Sequence, residues 1–390
     1  MAKEADGFVL PPRGFVFWPV GTGDSTTIVI DEKTVVQVDL HHLACSNDEG
    51  DPHTPIVDRL VALLPKRNGK PYLAVFVLTH PDEDHCLGYT DLQKRVTIGE
   101  LWFSPRIFRE YKNDLCDCAC VFQTEAKRRV KKTIEDPAAG SGDRVRIIGY
   151  DELLQEDDYK GFPKERLTIP GNAITEVDGI ELSTTFSAFI HAPFKDDCDG
   201  ERNDTSVAMQ ITLTNEKAVG RCLLLGDHCY PTVKRIFDRS KQDDLKWNVL
   251  LAAHHCSKSV MYWKGEDDDE EVLKQDILDA MEKAEQAPGH IVASSEPIPT
   301  SNKRGDNPPH AKAKQRYEEI AIDDFLCTQE HPSVDEPKPI VFELGASELT
   351  LKDSSAKQVE AASALATAIA GARGTAEPPR DRVGFGKDDD

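Results

Sequence analysis

The chain has 390 residues, 39% of them hydrophobic and 30% charged, with 25 Gly and 24 Pro; this is a globular composition, and it excludes fibrous and low-complexity classes. A formal net charge of −22 opposes nonspecific binding of polyanions, so any nucleic-acid chemistry has to be local. No apolar run approaches the roughly 20 residues of a membrane span, the charged start Met1-Ala2-Lys3-Glu4 carries no secretory pattern, and the cysteines are scattered; together these predict a cytoplasmic protein with reduced thiols and no membrane association.

In chain order, β-branched and aromatic segments predict strands at residues 15–20, 25–30, 34–39, 72–79 and 100–103. Residues 54–64 predict a helix, with Thr54 as its cap and Pro55 in the first helical position. Residues 107–136 read as a polar helical region. It holds Cys116, Cys118 and Cys120, a spacing tighter than zinc sites use, so these are read as helix residues. It also holds the dense basic run Lys127, Arg128, Arg129, Lys131 and Lys132, read as a solvated helix face, with a phosphate-contacting insertion as the alternative. Strands resume at 180–189, 206–213, 220–225 and 247–252. A helix at 271–287, a strand at 290–294, a helix at 311–322 and a strand pair near 340–343 and 348–351 complete the pattern. The expected organisation is one α/β domain over 1–352 with a helical insertion at about 105–170. A flexible tail over 353–390 follows, with an Ala-rich helix at 359–370 and acidic residues at its end.

The chemistry gathers at strand ends. Strand 72–79 runs into His80-Pro81-Asp82-Glu83-Asp84-His85, which places several imidazole and carboxylate ligands within six residues. Such ligands bind Zn²⁺ or Mn²⁺, and His80 with Asp82 can serve one ion while Asp84 with His85 serves a second. Strand 220–225 leads to Asp227, either a further ligand or a cap of the next helix. Strand 247–252 leads to His254 and His255; adjacent positions predict that one faces the site while the other orients a ligand.

Taken together these segments resemble the hydrolase domain of ComEC-type DNA-uptake proteins, a branch of the metallo-β-lactamase superfamily. The matching segments, in order, are Val20-Gly21-Thr22-Gly23-Asp24-Ser25, His80 to His85 with Gly88, Asn203-Asp204-Thr205-Ser206, Leu224-Leu225-Gly226-Asp227 and His254-His255-Cys256-Ser257-Lys258. The resemblance spans roughly residues 14–345. Asp39 looks like the superfamily's aspartate behind the metal loop, and Pro309-His310 is similar to a late histidine-proline motif in reversed order. Cys256 and His41 stand where the family has glycine, cysteines 86, 229 and 256 flank the loops, and no membrane channel accompanies the domain. Asp82 replaces the histidine of the commoner superfamily loop, which shifts preference towards Mn²⁺.

The resemblance implies a metallo-β-lactamase αββα four-layer sandwich with two divalent ions, Zn²⁺ or Mn²⁺, held by His80, Asp82, Asp84, His85, a bridging Asp227 and His254 or His255. It further implies a phosphodiesterase or nuclease that uses a metal-bridging hydroxide, with Asp84 and Asp227 in the reaction. Lys258, Ser257 and His310 are placed by position as contacts for phosphoryl oxygens or the leaving group. The alternatives are an amide, lactone or ester hydrolase of the same fold and a non-catalytic metal-binding scaffold. The expected partner is a phosphodiester or nucleic-acid substrate.

Overall fold

The computed structural model describes residues 7–110, 114–197, 202–265, 268–303 and 307–352. In its first half the main elements are β1 (Gly14–Phe17), β2 (Thr26–Asp31), β3 (Thr34–Val38), α1 (Ile56–Leu63), β4 (Lys70–Leu78), α2 (Tyr89–Arg95), β5 (Thr97–Phe103), α3 (Asp117–Glu135) and β6 (Arg144–Ile148). In the second half they are β7 (Phe186–Ala192), β8 (Ala208–Asn215), β9 (Ala218–Leu224), α4 (Tyr230–Arg239), β10 (Trp247–Leu251), α5 (Gln275–Ala284), β11 (Glu285–Ala293), α6 (Ala311–Ile320), β12 (Asp324–Cys327), β13 (Ile340–Leu344) and β14 (Leu349–Leu351).

One sheet runs in the order β14-β13-β1-β2-β3-β4-β5-β6, with short strands at its margins, and the other runs β12-β11-β10-β9-β8-β7. Side-chain alternation explains why they stack. Cys222, Leu224, Val249 and Leu251 pack against Phe15, Phe17, Val36 and Val77 of the facing sheet. Their neighbours Leu223, Leu225 and Leu250 point outward, onto a layer that includes Val233, Ile277 and Tyr317 of α4, α5 and α6. On the opposite flank Val16, Leu73 and Phe76 meet Leu60, Tyr89, Phe122 and Ala126 of α1, α2 and α3. The layers are therefore helix, sheet, sheet, helix, the αββα sandwich that the metallo-β-lactamase resemblance implied.

Strands β3, β4, β5 and β6 are parallel, and so are β9, β10, β11 and β12. The carboxyl ends of β3, β4, β9, β10 and β11 carry the loops that meet at one edge of the sandwich, the general location of sites in parallel sheets.

Several elements differ from the sequence expectation. Thr54 does not cap α1: its N–H donates to Pro19 O, and Pro55 occupies the cap position. The helix expected over 271–287 stops at Ala284, because residues 285–287 begin β11. Strands β6 and β12 were not expected. In β6 the charged Arg144 and Arg146 suggest a loop, yet each guanidinium finds a partner, Glu176 Oε1 at 2.8 Å for Arg144 and Glu165 O at 3.1 Å for Arg146. Within the region expected as an insertion, α3 covers the first sheet and β6 extends it. The helix expected at 359–370 and the acidic tail lie outside the described residues. Among the described residues no helix is long and apolar enough to cross a membrane.

Candidate metal centre

Asp39, at the end of β3, is fully buried with φ +54° and anchors the site. Its carboxylate accepts the Thr79 N–H at 2.8 Å and the Thr79 hydroxyl at 2.6 Å, and it accepts His85 Nδ1–H at 2.7 Å. With its proton committed to Asp39, the Thr79 oxygen can accept His80 Nδ1–H at 3.1 Å. In the neutral rings one buried carboxylate thus sets the tautomer of both histidines and leaves Nε2, turned inward, as the lone pair. Those two Nε2 atoms are buried without a hydrogen-bond partner and lie 3.9 Å (His80) and 3.4 Å (His85) from Asp227 Oδ2.

The second sheet supplies the other side. Asp227 follows β9 after Gly226, whose φ of +58° permits the sharp exit from the strand. It is 3% exposed, and its Oδ1 has no partner. After β10, His254, His255 and Cys256 occupy three successive left-handed conformations, with φ of 49°, 52° and 64°. Each costs a non-glycine residue on the order of 1–2 kcal/mol. This turn corrects the expectation that only one histidine faces the site. In an extended chain neighbours diverge, whereas here His254 Nε2 lies 3.9 Å and His255 Nε2 3.4 Å from the same Asp227 oxygen. His255 Nδ1 donates to Ser294 O at 3.2 Å and lies 3.4 Å from Asp24 Oδ1, while its Nε2 is 3.2 Å from Asp84.

Ligand atoms of Asp84, His85, Asp227 and His255 all lie within 4.8 Å of one another. His80 and His254 lie near the same Asp227 oxygen, each Nε2 at 3.9 Å, and His80 Nε2 is 3.5 Å from Asp82. Four of the seven expected ligands thus form one compact group, with His80, Asp82 and His254 beside it. Asp24 was legible as part of the glycine-rich turn, but its contact with His255 depends on the fold. Arg202, which donates to Asp82 at 3.0 Å and to Glu110 at 3.3 Å, had no local sequence signal.

Lys258 and His310 lie together. The Lys258 N–H donates to His310 Nδ1 at 3.2 Å, the Lys258 ammonium pairs with Glu271 at 2.5 Å, and the His310 N–H donates to Cys256 O at 3.1 Å. These contacts brace the histidine turn. Ser257 caps the turn that follows it through the Ser259 N–H.

The electrostatics favour cations. Burial opposes the charged form of His85 and of His255, yet Asp227 and neighbouring carboxylates outweigh it and hold both well above the ordinary imidazole range. Burial alone would raise Asp227, but His255 and His85 hold it far below the carboxylate range. Five carboxylates, of Asp24, Asp39, Asp82, Asp84 and Asp227, converge on four imidazoles whose Nε2 atoms face inward. Orphaned buried nitrogens beside excess negative charge fit divalent cations. A cleft of about 1030 Å³ opens beside Asp82, bordered by Arg202, Arg235, Asn203, Thr232 and Trp263.

The basic run is not part of this surface. Arg129 is 5% exposed and donates to the carbonyls of Ile98 and Gly99, each at 3.1 Å, and to Glu125 at 2.7 Å. Arg128 is paired with Glu125 and Asp143.

No family model and no curated protein matches this chain. Among solved structures it is similar to the metallo-β-lactamase fold protein YhfI from Bacillus subtilis, with 10% identity and a TM-score of 0.36, over 80% of this chain and 96% of that one. The fold described above rests on the layers and strand registers, not on this likeness.

Proposed function

We propose that the protein is a binuclear metal-dependent hydrolase that cleaves a phosphodiester of small-molecule size. The observation that supports it most directly is the convergence of Asp84, His85, Asp227 and His255 within 4.8 Å, from loops of both sheets, with buried lone pairs left over. Asp84, His85, Asp227 and His255 would hold one ion, and His80, Asp82, Asp227 and His254 the other, with Zn²⁺ or Mn²⁺ suited to this mixed donor set. Bound there, such ions supply Lewis acidity and lower the pKa of water, which is the chemistry hydrolysis needs. The chain's own groups do the positioning. Asp39 and Thr79 fix His80 and His85, Ser294 and Asp24 fix His255, and Arg202 offers a cation at the cleft side of Asp82 for an anionic oxygen of the substrate.

Burial of Arg129 and the surface pairing of Arg128 with Glu125 and Asp143 leave fewer free cations in the strip a long polynucleotide would use, and a cleft of about 1030 Å³ suits a compact substrate. The test is a screen of metal-loaded protein against a chromogenic phosphodiester, cyclic nucleotides, DNA, RNA, and ester, lactone and amide substrates. Turnover of the diesters that Asp84→Asn abolishes supports the reading. Turnover confined to esters, lactones or amides replaces it with the second hydrolase class, and no turnover with both ions bound leaves a binding scaffold.

A further inference from the structure

The start of α3 lies against the metal loop through sulfur. Cys116 is the cap residue of this 19-residue helix, and its Sγ accepts the Ala119 N–H at 3.4 Å. The Cys86 Sγ lies 3.5 Å away, in the short turn directly after His85. Cys118, two residues on, accepts from Gly88 N–H at 3.4 Å and from the Thr90 hydroxyl at 3.5 Å, so the helix start is seated on the turn at two points. Cys86 is fully buried, whereas Cys116 is partly exposed. A reactive dithiol needs this asymmetry: one sulfur reachable from solvent with donors to stabilise its thiolate, and a second in reach but shielded. The Cys86 S–H donates to Asp82 O at 3.2 Å, and the sulfur contact with Cys86 and the helix N–H groups, acting against burial, bring the Cys116 thiol down to about 7.

We propose that Cys116 and Cys86 form a hydroperoxide-sensitive dithiol, with Cys116 as the attacking sulfur and Cys86 as the resolving one, oxidised to a disulfide beside the metal loop. The Cys116 thiolate attacks the peroxide O–O bond, takes one oxygen as a sulfenic acid and releases hydroxide, which becomes water on protonation. The Cys86 sulfur then displaces that oxygen as a second water, forming the S–S bond. Overall two thiols give up two electrons and two protons, and one hydrogen peroxide becomes two waters. The sulfurs need to approach by about 1.5 Å to reach bonding distance. The crosslink fastens α3 to the turn that carries His85, so it reports peroxide at the candidate metal centre.

The test uses the full chain, reduced, freed of reductant and treated with hydrogen peroxide. The intact mass should fall by about 2 Da, and a non-reducing peptide map should join the segments of Cys86 and Cys116. Cys86→Ser should leave a sulfenic acid at Cys116 that dimedone traps, Cys116→Ser should abolish the crosslink, and Cys118→Ser should leave it intact. A parent chain whose map shows no Cys86–Cys116 link, or a link that survives in Cys116→Ser, overturns the proposal. Should a variant fail to fold, the map of the parent chain still decides. None of these readouts depends on the hydrolase reading.

Discussion

Two regions of the first sheet bury charge, and they do it differently. Where α3 packs on β5 and β6, Glu100, Arg129 and Arg146 are all under 8% exposed, but carboxylates and guanidiniums alternate. Glu176 Oε1 meets Arg144 at 2.8 Å and Arg166 at 2.9 Å, and Arg166 lies 3.6 Å from Glu100. At the carboxyl ends of β3 and β4, Asp39, Asp82 and Asp84 meet Asp24 and Asp227; Arg202 pairs with Asp82, and the buried Nε2 atoms of His80 and His85 have no hydrogen-bond partner. A buried charge matched by protein groups serves the fold, and a buried set of lone pairs without a match is waiting for a ligand.

Metal should separate the regions most. Saturating Mn²⁺ or Zn²⁺ should raise the melting temperature, the equivalent of about 4 kcal/mol at a thousandfold excess over Kd, and elemental analysis should find two ions per chain. Asp84→Asn should lower hydrolysis by at least about a hundredfold with little change in apo melting temperature. One ion or fewer at saturation would break the comparison.

The converse experiment is Arg129→Ala. It removes a buried donor from the carbonyls of Ile98 and Gly99, while Arg128 still holds the Glu125 carboxylate, and should cost about 2 kcal/mol in denaturant unfolding. Metal content and turnover per folded molecule should hold. A normal unfolding midpoint would show that the guanidinium network is not structural.

Arg202 stands between the two regions, since it is partly exposed and paired with a candidate ligand. Arg202→Ala removes a positive charge 3.0 Å from Asp82, so divalent metal should bind more tightly by calorimetry. The KM for an anionic diester should rise about tenfold, or about 1.4 kcal/mol. A rise in KM with weakened metal binding would instead make Arg202 a support for Asp82's orientation.

Glu285 has the smallest effect and represents a third solution. It is 7% exposed with neither a metal nor a guanidinium partner, and burial pushes its carboxyl up to about 7. Its protonated form contributes stability that is full below the ordinary carboxylate pKa and is lost as pH rises through about 7. Glu285→Gln should match the parent near pH 4 and exceed it by about 1 kcal/mol at pH 8. Parallel stability curves across that range would show that the carboxyl titrates normally.

Much of the candidate site was legible in the sequence because its candidate ligands lie at strand ends, where apolar runs stop at His80, Asp227 and His254. The αββα layering was legible only through the family resemblance, because β9 and β10 are apolar on both faces and only packing shows which side chains point inward and which outward. Strand β6 was not, because charge in a strand looks like a loop until Glu176 and the Glu165 carbonyl are brought to it by distant chain. The basic run reads as a solvated helix face and is one at Lys127, Arg128 and Lys131, whereas packing against β5 buries Arg129. Sequence proximity also could not orient His254 and His255, because their shared approach to Asp227 depends on a left-handed backbone that strains each residue and is held by tertiary contacts with Gly226, Ser294 and His310. The sequence by itself determined which residues could bind metal, through their chemistry and their places at strand ends. Only the tertiary structure decided which lone pairs remain unmatched, because that depends on every partner the fold brings within reach.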